Sequence, residues 1–218
     1  WKSGAATRAK LATKEERVSE EHESESGSNS NHNGDVQESE LWDRISTTDG
    51  VERAEVLAEL SHFAYKRDDY AECIQLCETP IDLYKKSAPN THLHELIHLH
   101  EGKALSLRNL EQHSEAAATF EEIAQLQKER DEISGYIQAI RAAGCEWYAA
   151  KEWLKSYQAH KAAQDAVDPD ATDFSMGVDS INMGMALNKL ERVSEAIPNF
   201  LAARKYFQRA KAPMNVSH

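Results

Sequence analysis

The chain has 218 residues, 40% of them hydrophobic, and a formal net charge of −12. That length supports one ordinary domain plus a tail, and the acidic balance argues against a general nucleic-acid binder, whose contact surface would be basic. No run of about 18 apolar residues occurs, so no membrane span is expected, and no secretory signal pattern stands at the start. Trp1 rather than Met opens the chain, which leaves room for a further alternative, a peptide-sensing regulatory domain cut from a larger signalling protein. The three cysteines, Cys73, Cys77 and Cys145, are an odd and small number that points to reduced thiols in the cytosol.

Residues 1–40 nearly lack large apolar groups. The stretch "EEHESESGSNSNHNGDVQESE" cannot bury enough surface to offset its ordering entropy. A disordered tail is therefore expected over 1–40, with Leu41 and Trp42 as its first anchor. Lys2, Arg8, Lys10, Lys14 and Arg17 lie early, and Val18 to Glu40 carries seven acids with no Lys or Arg.

Helical spacing begins near residue 49. Asp49-Gly50-Val51-Glu52 reads as a capping box, and Val51, Ala54, Leu57, Ala58, Leu60, Ser61 and Ala64 follow on one face. No sustained alternation of β-branched residues occurs, so strands are not expected. Cys73 and Cys77 share a helix face and suit core packing. Thr79-Pro80-Ile81-Asp82 then reads as a break, with Pro80 opening a new helix capped by Thr79.

Residues 91–104, "THLHELIHLHEGKA", contain His94-Glu95-Leu96-Ile97-His98, the H-E-x-x-H letters of zinc peptidases. Two histidines four apart on a helix can hold one Zn²⁺, and the adjacent glutamate can act as general base. The extended motif then needs a glycine and a third histidine. Here Gly102 is one residue late and Ala104 stands at the histidine position. A zinc hydrolase on His94, Glu95 and His98 is the alternative reading. Another is a transition-metal-binding patch of His94 and His98 with His92 or Glu101.

The chain repeats itself. "ALSLRNLEQHSEAAATFEEI" (104–123) matches "GMALNKLERVSEAIPNFLAA" (184–203) at Leu107 with Leu187, Leu110 with Leu190, Ala116 with Ala196 and Phe120 with Phe200. "GCEWYAAKEWLKSYQAHKAA" (144–163) and "SHFAYKRDDYAECIQLCETP" (61–80) follow the same frame. A small residue (Ser61, Ala104, Gly144, Gly184) sits in a first helix, a polar turn follows, and Cys73, Ala116, Ser156 or Ala196 marks the second helix. These last four are 43, 40 and 40 residues apart. One helical hairpin cannot bury its apolar face alone, so such hairpins stack and share a core.

This order of small residue, Leu or aromatic, turn, small residue and Phe120 or Phe200 resembles the tetratricopeptide repeat (TPR) family over about residues 50–210. The period is longer than the family's usual value of about 34. The resemblance implies an all-α, right-handed superhelical stack of helical hairpins at about 50–88, 91–130, 132–168 and 172–211, within a domain spanning 41–218. It also implies a protein-interaction module with a concave groove, no catalytic residues and no cofactor. On that frame the inward stripe of the first helices offers Tyr65 and Lys66, then Arg108 and Asn109, Arg141 and Tyr148, and Asn188 and Lys189. Glu55, His62, Gln138, Cys145, Ile181 and Met185 share the stripe, while His94, His98 and Glu101 lie on it rather than in a closed pocket. Four basic residues among aromatics suit a peptide or partner protein, an acidic one in particular, with no nucleic acid or membrane involved. The tail's carboxylates are expected to compete for the same face. The lysine–asparagine clamp by which some family members hold acidic chaperone termini is missing, since Ala58, His62, Glu101 and Leu105 stand at its places. Phe200, Tyr206, Phe207 and Met214 have no further repeat to cover them, so a C-terminal helix folding back or a homodimer through the last hairpin is expected.

Overall fold

A computed structural model describes residues 32–87, 91–166 and 171–211. Among them are nine α-helices and no strand. They are α1 (His32–Ile45), α2 (Gly50–Lys66), α3 (Tyr70–Ser87), α4 (Leu93–Asn109), α5 (His113–Glu129), α6 (Ile133–Ala149), α7 (Trp153–Asp165), α8 (Asp173–Lys189) and α9 (Val193–Lys211). Consecutive helices pack against each other from α2 to α9, and α2 also touches α4, as α6 touches α8. The result is four stacked hairpins, α2–α3, α4–α5, α6–α7 and α8–α9. No described helix is long and apolar enough to cross a membrane.

The turns show why the repeat is so regular. Helices α2, α4, α6 and α8 each end in the same three-residue turn, and so does α5. In the turn after α4, the Glu111 N–H donates to the Arg108 carbonyl and the Gln112 N–H to the Leu107 carbonyl, both at 2.9 Å. This is the Schellman pattern, which satisfies carbonyls left without partners at a helix end. Its pivot residue must be left-handed, and Asp68, Glu111, Asp131, Lys151 and Glu191 all have φ between 57° and 64°. None of the five is the glycine that such a position favours.

Each hairpin closes over a small residue. A Cβ on Gly184 would come within 2.7 Å of the Phe200 ring, and one on Gly144 within 2.8 Å of His160 Nε2. Ala104 and Ala116 are fully buried at the matching places of the second hairpin. The first three hairpins share two apolar clusters. Leu41, Ile45, Leu60, Cys77, Tyr84 and Leu96 belong to the first, Ile97, Phe120, Ala143 and Trp147 to the second, and Leu126 packs against both.

Four details depart from the sequence reading. First, α1 begins at His32, inside the stretch expected to be unstructured. Leu41 and Ile45, four apart, are buried and anchor it, and Glu38 pairs with Arg67 at 2.6 Å. Residues 1–31 lie outside the described residues, as do Pro89, Asp168, Pro169 and Met214. Second, Asp49 sits at the N-cap of α2 but its side chain makes no cap bond. Gly50 enters the helix at φ +50°, which turns the backbone away from the usual capping geometry. A capping box does form at Thr172 and Ser175, at the start of α8. Third, Pro80 opens no new helix. It is buried inside α3, where the Leu76 carbonyl loses its helical donor. The buried face Cys73, Leu76, Cys77, Pro80, Ile81 and Tyr84 runs on across it, so packing outweighs the lost bond. Pro198 likewise sits inside a helix, in the second turn of α9. Fourth, Phe207 is covered within its own hairpin, its ring lying where a Cβ on Gly177 would approach to 2.7 Å. The apolar groups left exposed on α9 are Val193, Ile197, Phe200 and Leu201, four on one helix face.

His100 is a buried polar group with a cost. It is 3% exposed, neither ring nitrogen makes a hydrogen bond among the described residues, and Nε2 lies 3.4 Å from Glu122 Oε2. Burial pushes its pKa down to about 4 against the pull of Glu122, and Lys85 and Lys103 act in the same direction as burial. The unfolded histidine titrates near 6.5. Between those values the unfolded chain takes up a proton that the folded chain refuses, so stability falls as pH falls.

Two outcomes follow. Replacing Glu191 by Gly should relieve the left-handed strain and raise unfolding free energy by about 1 kcal/mol; an unchanged or lower denaturation midpoint would contradict it. Between pH 7 and pH 4.5 the wild type should lose about 2 kcal/mol more than His100→Ile, which places there the residue the next repeat carries at Ile140. Parallel urea-unfolding curves for the two proteins at both pH values would contradict the buried neutral histidine.

Candidate functional site

The first helices of the hairpins, α2, α4, α6 and α8, carry an exposed stripe. His62 and Lys66 on α2, Asn109 on α4, Gln138 and Cys145 on α6, and Met185, Asn188 and Lys189 on α8 are exposed. Tyr65 and Tyr148 are half-buried. The Tyr65 ring meets the edge of Tyr70 at 5.6 Å, and Tyr148 meets Trp153 at 4.9 Å. Lys189 reaches over the same Trp153 ring at 5.8 Å. Asn109 turns its amide back to the Leu105 carbonyl at 2.9 Å.

The two arginines of the stripe are engaged inside the protein. Arg108 Nε donates to Glu146 Oε1 at 2.6 Å, and its guanidinium lies 5.0 Å from the Phe120 ring centre. Glu146 is 5% exposed and its other oxygen lies 2.8 Å from His113 Nδ1. Arg141 grips Asp179 with two nitrogens, at 2.9 and 2.7 Å, and Asp179 is fully buried. In both pairs the acid lies 38 residues beyond the arginine, on the first helix of the next hairpin. These bonds are struts between hairpins. They take two of the four positive charges that the sequence reading assigned to a partner.

The histidine segment lies on α4. His94 and His98 are exposed with their Nε2 atoms 3.2 Å apart, and His98 Nδ1 lies 3.2 Å from Glu101 Oε2. His92 instead stacks on Tyr84 at 4.8 Å. No group of three or more His, Cys, Asp or Glu that could hold a metal occurs among the described residues.

Between the third and fourth hairpins a cleft of about 130 Å³ opens. Cys145 and Tyr148 of α6, Ser156 and His160 of α7, and Asn182 and Met185 of α8 line it. The repeat shows how unusual this junction is. At the place of Phe120 and Phe200 the third hairpin has His160, and at the place of Ala116 and Ala196 it has Ser156. Asp179 stands where the two preceding hairpins have Leu99 and Ala139, and Arg141 where the fourth has Ile181. His160 is 1% exposed and its Nδ1 lies 3.3 Å from Asp179 Oδ1. Burial opposes charge on the imidazole, but its bonds to Asp179 and Cys145 outweigh that and raise its pKa. The sequence reading missed Glu146, Asp179 and His160. For His160 the signal was present, as the one polar residue at a position that is Phe in the flanking repeats.

The sequence matches no protein-family model and no curated relative. Several solved structures share its architecture. A structure of nearly identical TPR-like repeats from Podosopora anserina, described as those of a putative kinesin light chain, aligns with a TM-score of 0.62 at 14% identity, over 83% of this chain and 91% of that one. The apo form of RapI aligns with a TM-score of 0.60 at 14% identity, over 80% of this chain and 63% of its own length. Aspartyl phosphate phosphatase F from Bacillus subtilis aligns at 0.54 and 15% identity, over 78% of this chain and 44% of its own. At such identities the likeness establishes the fold: the chain is a TPR-like stack of helical hairpins.

Proposed function

We propose that the chain is a non-enzymatic, cytoplasmic protein-interaction module whose exposed first-helix stripe takes a peptide or a segment of a partner protein. One observation carries this reading. On four successive first helices the same stripe stays open to solvent and mixes aromatic, amide and lysine side chains, while the opposite faces are spent on the core. Half-buried tyrosines fixed by neighbouring rings give rigid contact area at low entropic cost, and amides adapt to a peptide backbone. Tyr65, Lys66, Asn109, Tyr148, Asn188 and Lys189 are the contacts assigned to the partner. Arg108 and Arg141 hold the surface in shape from behind. With those charges matched internally, Lys66 and Lys189 are left for carboxylates, so acidity in the partner is a secondary preference. The solved structures of similar fold include one named for its TPR-like repeats, which supports a repeat-built binding surface without identifying a partner.

The test is selection of binding peptides from a random library on the full chain, followed by titration of variants. Tyr148→Ala and Lys189→Ala should each weaken the selected peptides about tenfold, as truncation of a contact worth about 1.4 kcal/mol does. Lys161→Ala, on the exposed face of α7, should leave affinity unchanged. Peptides indifferent to Tyr148 and Lys189, or a library that yields no binder, would contradict the proposal.

A further inference from the structure

The cleft between the third and fourth hairpins holds an arrangement that the interaction reading does not use. Cys145 is an exposed thiol on α6. His160, from α7, lines the same cleft. Its Nε2 faces the backbone just before that cysteine, where a Cβ on Gly144 would approach to 2.8 Å. Only a glycine lets the ring come so close. Nδ1 is turned the other way, 3.3 Å from Asp179 Oδ1. Asp179 is fully buried and held by the two-pronged grip of Arg141. A thiol, an imidazole and a fixed carboxylate thus stand in the order nucleophile, base and orienting group.

A second observation points to a ligand. Ser156 Oγ is buried in the same cleft and has no hydrogen-bond partner among the described residues. A buried hydroxyl left without a partner costs about 1–3 kcal/mol. Its counterparts in the flanking repeats, Ala116 and Ala196, avoid that cost. Three buried polar residues, Ser156, His160 and Asp179, therefore break the apolar rule of the repeat at one spot, beside the one exposed cysteine. Local violations of a fold's own rule concentrate at functional sites.

We propose that Cys145 is a reactive thiol whose substrate is a small peroxide, with His160 as its base, Asp179 as the positioning residue for the imidazole and Ser156 as a donor to the bound peroxide oxygen. The cleft is too small for a bulky substrate, and hydrogen peroxide occupies only a fraction of about 130 Å³. The Cys145 proton passes to His160 Nε2, with the Asp179 carboxylate accepting from Nδ1–H and stabilising the imidazolium. Sγ attacks one peroxide oxygen, an S–O bond forms and the O–O bond breaks. The departing hydroxide takes the proton back from His160 and leaves as water. Sulfur loses two electrons to the peroxide and ends as a sulfenic acid. This site does not depend on whether the first-helix stripe binds a partner.

The full chain is exposed to equimolar hydrogen peroxide with dimedone present, and sulfenic acid is measured at each cysteine by peptide mass spectrometry. Cys145 should be labelled on the order of tenfold faster in the folded protein than in the urea-denatured chain, since a positioned base contributes at least that much. Buried Cys73 and Cys77 should show the opposite order. His160→Phe, which places there the residue of the flanking repeats, should fold and bring Cys145 down to the denatured rate; His160→Gln serves the same purpose with a polar side chain. Restoring the repeat's alanine with Ser156→Ala should slow labelling by a smaller factor. Folded Cys145 reacting no faster than the denatured thiol overturns the proposal. So does an unchanged rate in folded His160→Phe and His160→Gln.

Discussion

The two helices of each hairpin cross so closely that one of them must be nearly bare at the crossing. Ala104, Gly144 and Gly184 provide that bareness, and Phe120, His160 and Phe200 fill the space over them. A larger group on one side would meet ring atoms under 3 Å away in the third and fourth hairpins. The contact sets the crossing, the crossing sets which residues of the first helix face the next hairpin, and stacking then repeats the arrangement. With the close approach fixed, the Schellman turn is the shortest way round. It recurs after α2, α4, α6 and α8 even though no glycine is present to ease it.

Charge is the second organising element. A pair such as Arg141–Asp179, whose carboxylate is fully buried, is seldom more stable than apolar residues of equal volume, yet removing one partner strands a buried charge at a cost of about 3–5 kcal/mol. Such pairs fix register better than they add stability. Arg108–Glu146 and Arg141–Asp179 each tie one hairpin to the next across 38 residues. The third hairpin lies between the two struts and is tied to both neighbours. That is also where the thiol cleft opens, so its geometry rests on a junction held by a buried carboxylate.

Much of this was legible in the sequence, for physical reasons that differ by residue. Gly144, Gly184 and Phe200 declared the hairpins because close packing tolerates few residue types, and the 40-residue spacing repeated them. The turns were harder to read, since Asp68, Glu111, Asp131, Lys151 and Glu191 hide a left-handed conformation behind side chains that usually avoid it. Pro80 misled because the local rule for proline took no account of the buried face around it. Arg108 and Arg141 were readable as basic residues on an open stripe. Their carboxylates lie two positions short of the repeat register, so no comparison of equivalent positions could pair them. His160 was within reach of that comparison, and Asp179 became meaningful only once the fold placed it behind the imidazole.

If the polar cluster at the third junction exists for chemistry, the fold itself should not need it. The direct measurement is the unfolding free energy of a variant carrying what other hairpins have at those places: Arg141→Ile, Ser156→Ala, His160→Phe and Asp179→Ala together. The stack described here predicts a folded helical protein at least as stable as the wild type, with a gain of up to about 4 kcal/mol, because a buried ion pair and an unpartnered hydroxyl give way to apolar packing. A loss of several kcal/mol, or a chain that no longer unfolds cooperatively, would show instead that these four residues hold the hairpins together and that the small-over-large contact alone cannot.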